Sequence, residues 1–308
     1  MTAIFIWARR FAAYRALTGL LARSPGARLF AVALVPVFWI LIANLAPLVQ
    51  MFVISFYERY PLAEGTSPEL TLRHYVAFAE RPLYLSAFAR SFIFATAATA
   101  LTLVVMFPVA FYIAKVAPRQ ARVRLLLLVI APFWISEIIR SFAWILMLSN
   151  RGAINSFLSF VGFSGPPLDL LYNNISLTIG VLYLTSLYML LPLYSALEKI
   201  DDKLLEAAAD LGAAGPRRLV RIILPLAREG IVTGCTLTFL LVVGLYAMPL
   251  LLGGPSNTLF ASIIGQVFGR AGDSWPLGSA FSIILILAAL AYVGVFMALL
   301  KKPSRRQS

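Results

Sequence analysis

Two charges stand inside an otherwise apolar run of this 308-residue chain, LLLLVIAPFWISEIIRSFAWILML. They are Glu137 and Arg140, and a charge in hydrocarbon is costly enough to mark either a function or a partner. Their i,i+3 spacing puts them on one helix face, where they can neutralise each other and hold helices together. With Trp134, Phe142 and Trp144 close in sequence, they could instead line a solute pathway. A cation would then meet a carboxylate and aromatic faces. Little else in the chain could do chemistry. One cysteine, Cys235, and one histidine, His74, exclude an intrachain disulfide and leave no metal framework. They also leave no convergent set for an intramembrane enzyme. No G-x-x-x-x-G-K-[ST] sequence is present, so nucleotide hydrolysis is not expected in this chain.

A second constellation is EAAADLGAAGPRRLVRIILPL, from Glu206 to Leu226. DDKLLEAAADLGA ahead of its turn reads as a helix. Asp201 or Asp202 can cap it and set negative charge against the macrodipole. Leu204, Leu205, Ala208 and Leu211 fall at helical spacing as an apolar stripe. Gly212 and the pair Gly215 and Pro216 break that helix, because glycine tolerates left-handed angles and proline cannot extend it. Pro216 then suits the first turn of a second helix. The pattern predicts a helix–turn–helix with a small-residue tip at Ala213 and Ala214.

The elements that must position these residues are membrane spans. The chain is 61% hydrophobic and 13% charged, with mean hydropathy +0.88. A soluble domain carries about 25% charged residues. Apolar runs near 29–54, 91–114, 125–148, 175–197, 230–252 and 277–300 each exceed the roughly 20 residues that cross a bilayer. This is an all-α polytopic membrane protein of six transmembrane helices, with a proline kink at Pro132 in the third. Segments 1–28, 115–124, 198–229 and 301–308 hold 19 of the 26 Lys and Arg residues, and loops 55–90, 149–174 and 253–276 hold 6. That bias places both termini and the Glu206 segment in the cytoplasm. It also assigns the net charge of +13 to topology rather than to nucleic acid.

Residues 1–28 form a cytoplasmic, interfacial segment and 301–308 a basic tail, flanking a six-span body at 29–300. Arginines interleaved with Phe11, Leu17 and Leu20 fit an amphipathic helix at the lipid surface. Among the external loops, 70–88 can form a short surface helix. GFSGPPLDL reads as a rigid turn, and Leu259 to Phe268 is apolar enough to enter the membrane edge or cover a neighbour. Ser149, Asn150 and Asn155 offer polar contacts for docking.

The Glu206 segment resembles the EAA motif of ABC-importer permeases: Glu-Ala-Ala, three residues, Gly, nine residues, Ile-x-Leu-Pro. Glu206, Ala207, Ala208, Gly212, Ile222, Leu224 and Pro225 fall in register. Five further stretches are similar to the spermidine/putrescine permease branch. They are SFIFATAATALTLVVMFPVAFYIA, IRSFAWILMLSNRGAINSFL, LYMLLPLYSALEKIDDKLLEAA, AMPLLLGGPSNTLFASIIGQVF and WPLGSAFSIIL. The resemblance covers about residues 30–300. It implies the type I importer permease fold in the bacterial inner membrane, and a cytoplasmic coupling helix built from Glu206 to Ala214 with Asp210. It also implies ABC ATPase subunits that bind ATP and Mg, a second permease subunit paired with it as a heterodimer, and an extracytoplasmic solute-binding protein. The rival reading is a secondary transporter or channel, which would show inverted repeats or midplane ionisable residues; neither is clear.

Overall fold

A computed structural model describes residues 25–61, 67–254, 257–269 and 274–300. Runs of apolar residues without period-two alternation fold as helices, and the one β-bridge among the described residues, Tyr57 to Leu70, is isolated. The elements are α1 (Pro25–Ile54), α2 (Arg73–Glu80), α3 (Pro82–Phe111), α4 (Arg119–Ile130), α5 (Glu137–Leu148), α6 (Ala153–Phe160), α7 (Asn174–Glu198), α8 (Asp202–Asp210), a broken helical segment Gly215–Leu226, α9 (Arg228–Val243), α10 (Phe260–Gly269) and α11 (Trp275–Leu300). The interfacial helix and basic tail expected at the termini fall on residues 1–24 and 301–308, outside the described residues.

Four stretches are long and apolar enough to span alone: Pro36–Ile54, Pro82–Val116, Asn174–Glu198 and Trp275–Leu299. Two bent pairs bring the number to six, Arg119–Trp134 with Glu137–Phe160 and Gly215–Leu226 with Arg228–Val243. The third span is therefore not the kinked rod expected. Around Pro132 the chain tightens into a 3₁₀ turn, Ala131–Trp134, and Ile135 and Ser136 are extended. The two halves meet at 92°. Proline removes one ladder donor and crowds the preceding turn, and here the helix does not recover beyond it.

The second span also begins earlier than residue 91, at Pro82 in the first turn of α3. Arg90 does not end it, because its guanidinium donates to Asn257 Oδ1 at 2.5 Å. The short surface helix expected near 70–88 is α2. Leu259 and Phe260, in the run expected to cover a neighbour, lie wholly inside the fold. The loop 149–174 carries a helix that the sequence reading did not expect, α6. Asn155, expected as a docking residue, is buried instead. It accepts from Leu168 N at 2.8 Å and donates to the carbonyls of Leu168 and Ser149, closing that loop.

α7 is the central element, half buried along its length where the α1 window is 6% buried. It starts on a reciprocal cap: Asn173 Oδ1 accepts from Ile175 N and Ser176 N, while Ser176 Oγ accepts from Asn173 N. α9 packs along it through Gly230 and Gly234. A Cβ on Gly230 would stand 2.5 Å from both Ala196 Cβ and the Pro192 carbonyl oxygen, and one on Gly234 would stand 2.8 Å from Met189 Sδ. Small residues four apart let helix backbones approach in lipid, where apolar surface alone gives no drive to associate.

Two buried clusters result. One lies at the end of the bundle where α3 and α11 begin. There Phe78, Phe88, Phe260 and Phe281 meet mostly edge to face, with centroids 5.4 to 5.9 Å apart. The other lies where α3 and α7 end. It holds Ala110, Ala114, Met189, Leu193, Leu197, Ile223 and Ala227.

Candidate functional site

The second cluster carries the hairpin built by residues 201–226. Asp201 caps α8, its Oδ1 accepting from Lys203 N at 3.0 Å. The helix stops in two closing bonds. Gly212 N donates to Ala209 O at 2.8 Å and Ala213 N to Ala208 O at 2.9 Å, around Gly212 at φ 77°. This paired closure requires a left-handed residue, which is why glycine stands there. Pro216 then opens the second arm. A π turn, Leu219–Ile223, and a last helical turn, Leu224–Leu226, lead to a 69° bend at Ala227 before α9. Pro225 sits exposed in that last turn, beside the bend.

The hairpin sorts its side chains. Leu205, Ala208, Ala213, Ile222 and Leu224 are half-buried, and Ile223 enters the core. Glu206, Ala207, Asp210, Gly212 and Ala214 are exposed, and no residue of α8 is buried. The apolar stripe read from the sequence splits. Leu205 and Ala208 face inward, but Leu204 is half exposed and Leu211 is 89% exposed. The left-handed turn at Gly212 ends the helical phase at Leu211, so that side chain is carried outward. Among the described residues, Glu206 has no hydrogen bond or ion pair. The uncovered surface holds small residues, two carboxylates, Glu206 and Asp210, and the exposed Leu211.

Residues that the motif does not mark fasten the hairpin. Arg218 Nη1 donates to Leu205 O at 3.2 Å, joining the two arms. Lys115, in a π turn Tyr112–Val116 that continues α3, donates to Ile200 O and, at 2.6 Å, to Asp202 Oδ1. That bond, more than anything else, holds the Asp202 carboxyl below its ordinary range. Counting Lys115 only toward topology hid this role. A lone lysine at the end of an apolar run, opposite a helix N-terminus rich in aspartate, was the available signal.

The other predicted constellation is rearranged. Glu137 and Arg140 do not pair. The Arg140 guanidinium lies 4.8 Å from the Phe133 ring centroid and 5.7 Å from that of Tyr183, with Nε and Nη1 buried and unbonded. The break at Ile135 and Ser136 folds Phe133 back over α5, and the negative ring faces take the cation that the carboxylate was expected to take. Trp144 joins this group, edge-on to Tyr183 at 5.6 Å. Trp134 and Phe142 do not; they are 84% and 52% exposed.

A multi-span helical body with an exposed hairpin between two of its spans is the architecture of a transport subunit, and the comparisons with known proteins agree. The chain belongs to the family of binding-protein-dependent transport system inner membrane components, matched over residues 108–307. It is 36% identical over 249 residues to the spermidine/putrescine transport system permease protein PotB of Escherichia coli, covering 81% of this chain and 89% of that one. It is 32% identical over 300 residues to the inner membrane ABC transporter permease protein YdcU of Escherichia coli, covering 92% and 95%. The fold matches a chain in the crystal structure of a bacterial alginate ABC transporter in complex with an alginate pentasaccharide-bound periplasmic protein. There the TM-score is 0.72, with 87% and 92% coverage and 18% identity. The protein is thus a multi-pass inner-membrane permease of a binding-protein-dependent ABC importer.

Proposed function

We propose that this permease imports a polyamine, or a related small organic solute, driven by separate ATPase subunits that bind ATP and Mg and seat the hairpin tip. The reading pairs it with a second, non-identical permease subunit and an extracytoplasmic solute-binding protein, and sets both termini in the cytoplasm. One observation carries the coupling reading: α8 closes at Gly212 with Glu206, Ala207 and Leu211 all exposed, while Ile223 anchors the second arm in the core. Glu206 then offers a carboxylate to an arginine of the ATPase, a charge-assisted bond that strengthens as water leaves the joint. ATP closure of the ATPase pulls the hairpin, and the attached spans exchange one facing for the other. ATP acts by binding one global state better than the other. The relatives named for spermidine and putrescine support the solute class.

The test is uptake of labelled spermidine and putrescine by cells carrying the complete transporter. Expected is saturable, ATP-dependent uptake that Glu206→Arg abolishes while the permease remains in the membrane. Import of a different organic solute with no polyamine uptake overturns the solute class. Normal uptake by Glu206→Arg overturns the coupling assignment.

A further inference from the structure

Lys115 is placed where a charge is hardest to keep. Its side chain is 6% exposed, and an ammonium taken out of water is tolerated only when its charge and its donors are both matched. The match comes from one corner of the fold. Ile200 lies just past the end of α7, where helix carbonyls lose their intrahelical donors. Asp202 is the first residue of α8. Between them stands Asp201, the residue that caps α8. Lys115 therefore bonds both sides of the corner where α7 becomes α8, supplying positive charge to one helix end and neutralising the acid at the other. The π turn that carries it buries Ile113 and Ala114 in the same stroke, so this end of α3 is itself fixed in the core.

The surroundings of α8 give that bond its importance. A cavity of about 600 Å³ opens between α7, α8 and the start of α9, with Lys199, Asp201 and Glu229 on its wall. A second, of about 580 Å³, separates Phe107 and Phe111 of α3 from Pro216, Arg218 and Leu219 of the second arm. The hairpin thus has open space on both flanks. Arg119 and Arg122 contribute attraction toward Asp202, but Arg122 Nε is committed to the Ala117 carbonyl.

We propose that Lys115 is a positioning residue that latches the first turn of α8 to α3, so that α8, the α7 corner and the end of the second span move as one body. The proposal rests on reading α8 as the coupling helix. Without the latch, α8 can follow the ATPase into the cavities beside it while the spans stay behind. The signature is loss of transport with hydrolysis retained, which a purely stabilising contact does not produce.

The experiment uses the assembled transporter in liposomes, with ATP hydrolysis and solute uptake measured on the same preparation. Lys115→Met should keep its ATPase subunits and hydrolyse ATP, with uptake per ATP reduced about ten-fold, within the usual range of coupling effects. Lys115→Arg should restore most of the ratio. Asp202→Asn removes the ion pair at an exposed carboxylate, leaves the Ile200 bond intact, and should give an intermediate loss. It guards against a Lys115→Met chain that fails to fold. An unchanged uptake-to-hydrolysis ratio in Asp202→Asn and Lys115→Met, with the ATPase still bound, overturns the latch alone. A wild-type permease that recruits no ATPase overturns the coupling reading and the latch with it.

Discussion

At the level of single residues, the hairpin turns on a backbone angle rather than on a contact. A Cβ on Gly212 would meet nothing within 4 Å, yet its φ of 77° is one that L-residues adopt at a cost. Left-handed conformation costs about 1–2 kcal/mol for a residue with a Cβ, and asparagine is among the few that visit it readily. Gly212→Val should therefore shift the tip and lower uptake more than Gly212→Asn, with both chains inserted at wild-type levels. Uptake assays beside membrane quantification check this, and equal losses would show that space, not angle, matters. Gly212 was readable from the sequence because glycine after a helix has few other meanings. Arg140 was not. Spacing put Glu137 on its face, but the ring that takes the guanidinium, Phe133, comes from across a break that no local rule sized. A second ring, Tyr183, comes from another span.

Between elements, close backbone approach in α7 and α9 should dominate stability. The Gly230 and Gly234 pair was not singled out from the sequence, since two small residues four apart say nothing of which helix they meet until the path of the whole chain is known. Gly230→Leu drives a side chain into the Pro192 carbonyl oxygen and Ala196, backbone and Cβ that cannot swing aside. Overpacking of this kind costs about 1–3 kcal/mol or more. Gly294→Leu, where a Cβ meets nothing within 4 Å on α11, should be close to neutral. Thermal unfolding of the two variants in detergent separates them, and similar midpoints would argue that α7 and α9 can slide apart. The Lys115 and Asp202 tie adds a pH dependence of known sign. Because the Asp202 carboxyl is held below its ordinary value, its contribution is complete above about pH 3.9, the unfolded value. It is lost only as pH falls through the lower folded value. The stability gap between wild type and Asp202→Asn should be constant from neutral pH to about pH 3.9 and then close as pH falls through the folded value.

For the whole molecule, the ordering of the two ends follows from charge bias and can be checked with side chains whose exposure is known. Cys235, the only cysteine, is buried within α9, so a chain with one added surface cysteine reports from one place. Leu211 stands 89% exposed at the hairpin tip. Glu80 is exposed at the end of α2, at the opposite end of the bundle. If lysine and arginine hold the hairpin in the cytoplasm, a membrane-impermeant thiol reagent should label Glu80→Cys in spheroplasts and Leu211→Cys only in inside-out vesicles. The reverse pattern would invert the protein and remove the ATPase from reach of the hairpin. The same Leu211→Cys chain carries the functional question one step further. Leu211 was read from its spacing as part of an apolar stripe, and it stands outside because the helix ends beneath it. If that exposure serves a partner, adding the ATPase subunits should slow labelling of Leu211→Cys about ten-fold or more, as burial of a side chain at a joint requires. Labelling at an unchanged rate, with the ATPase bound, would put the contact on the Glu206 face of α8 alone.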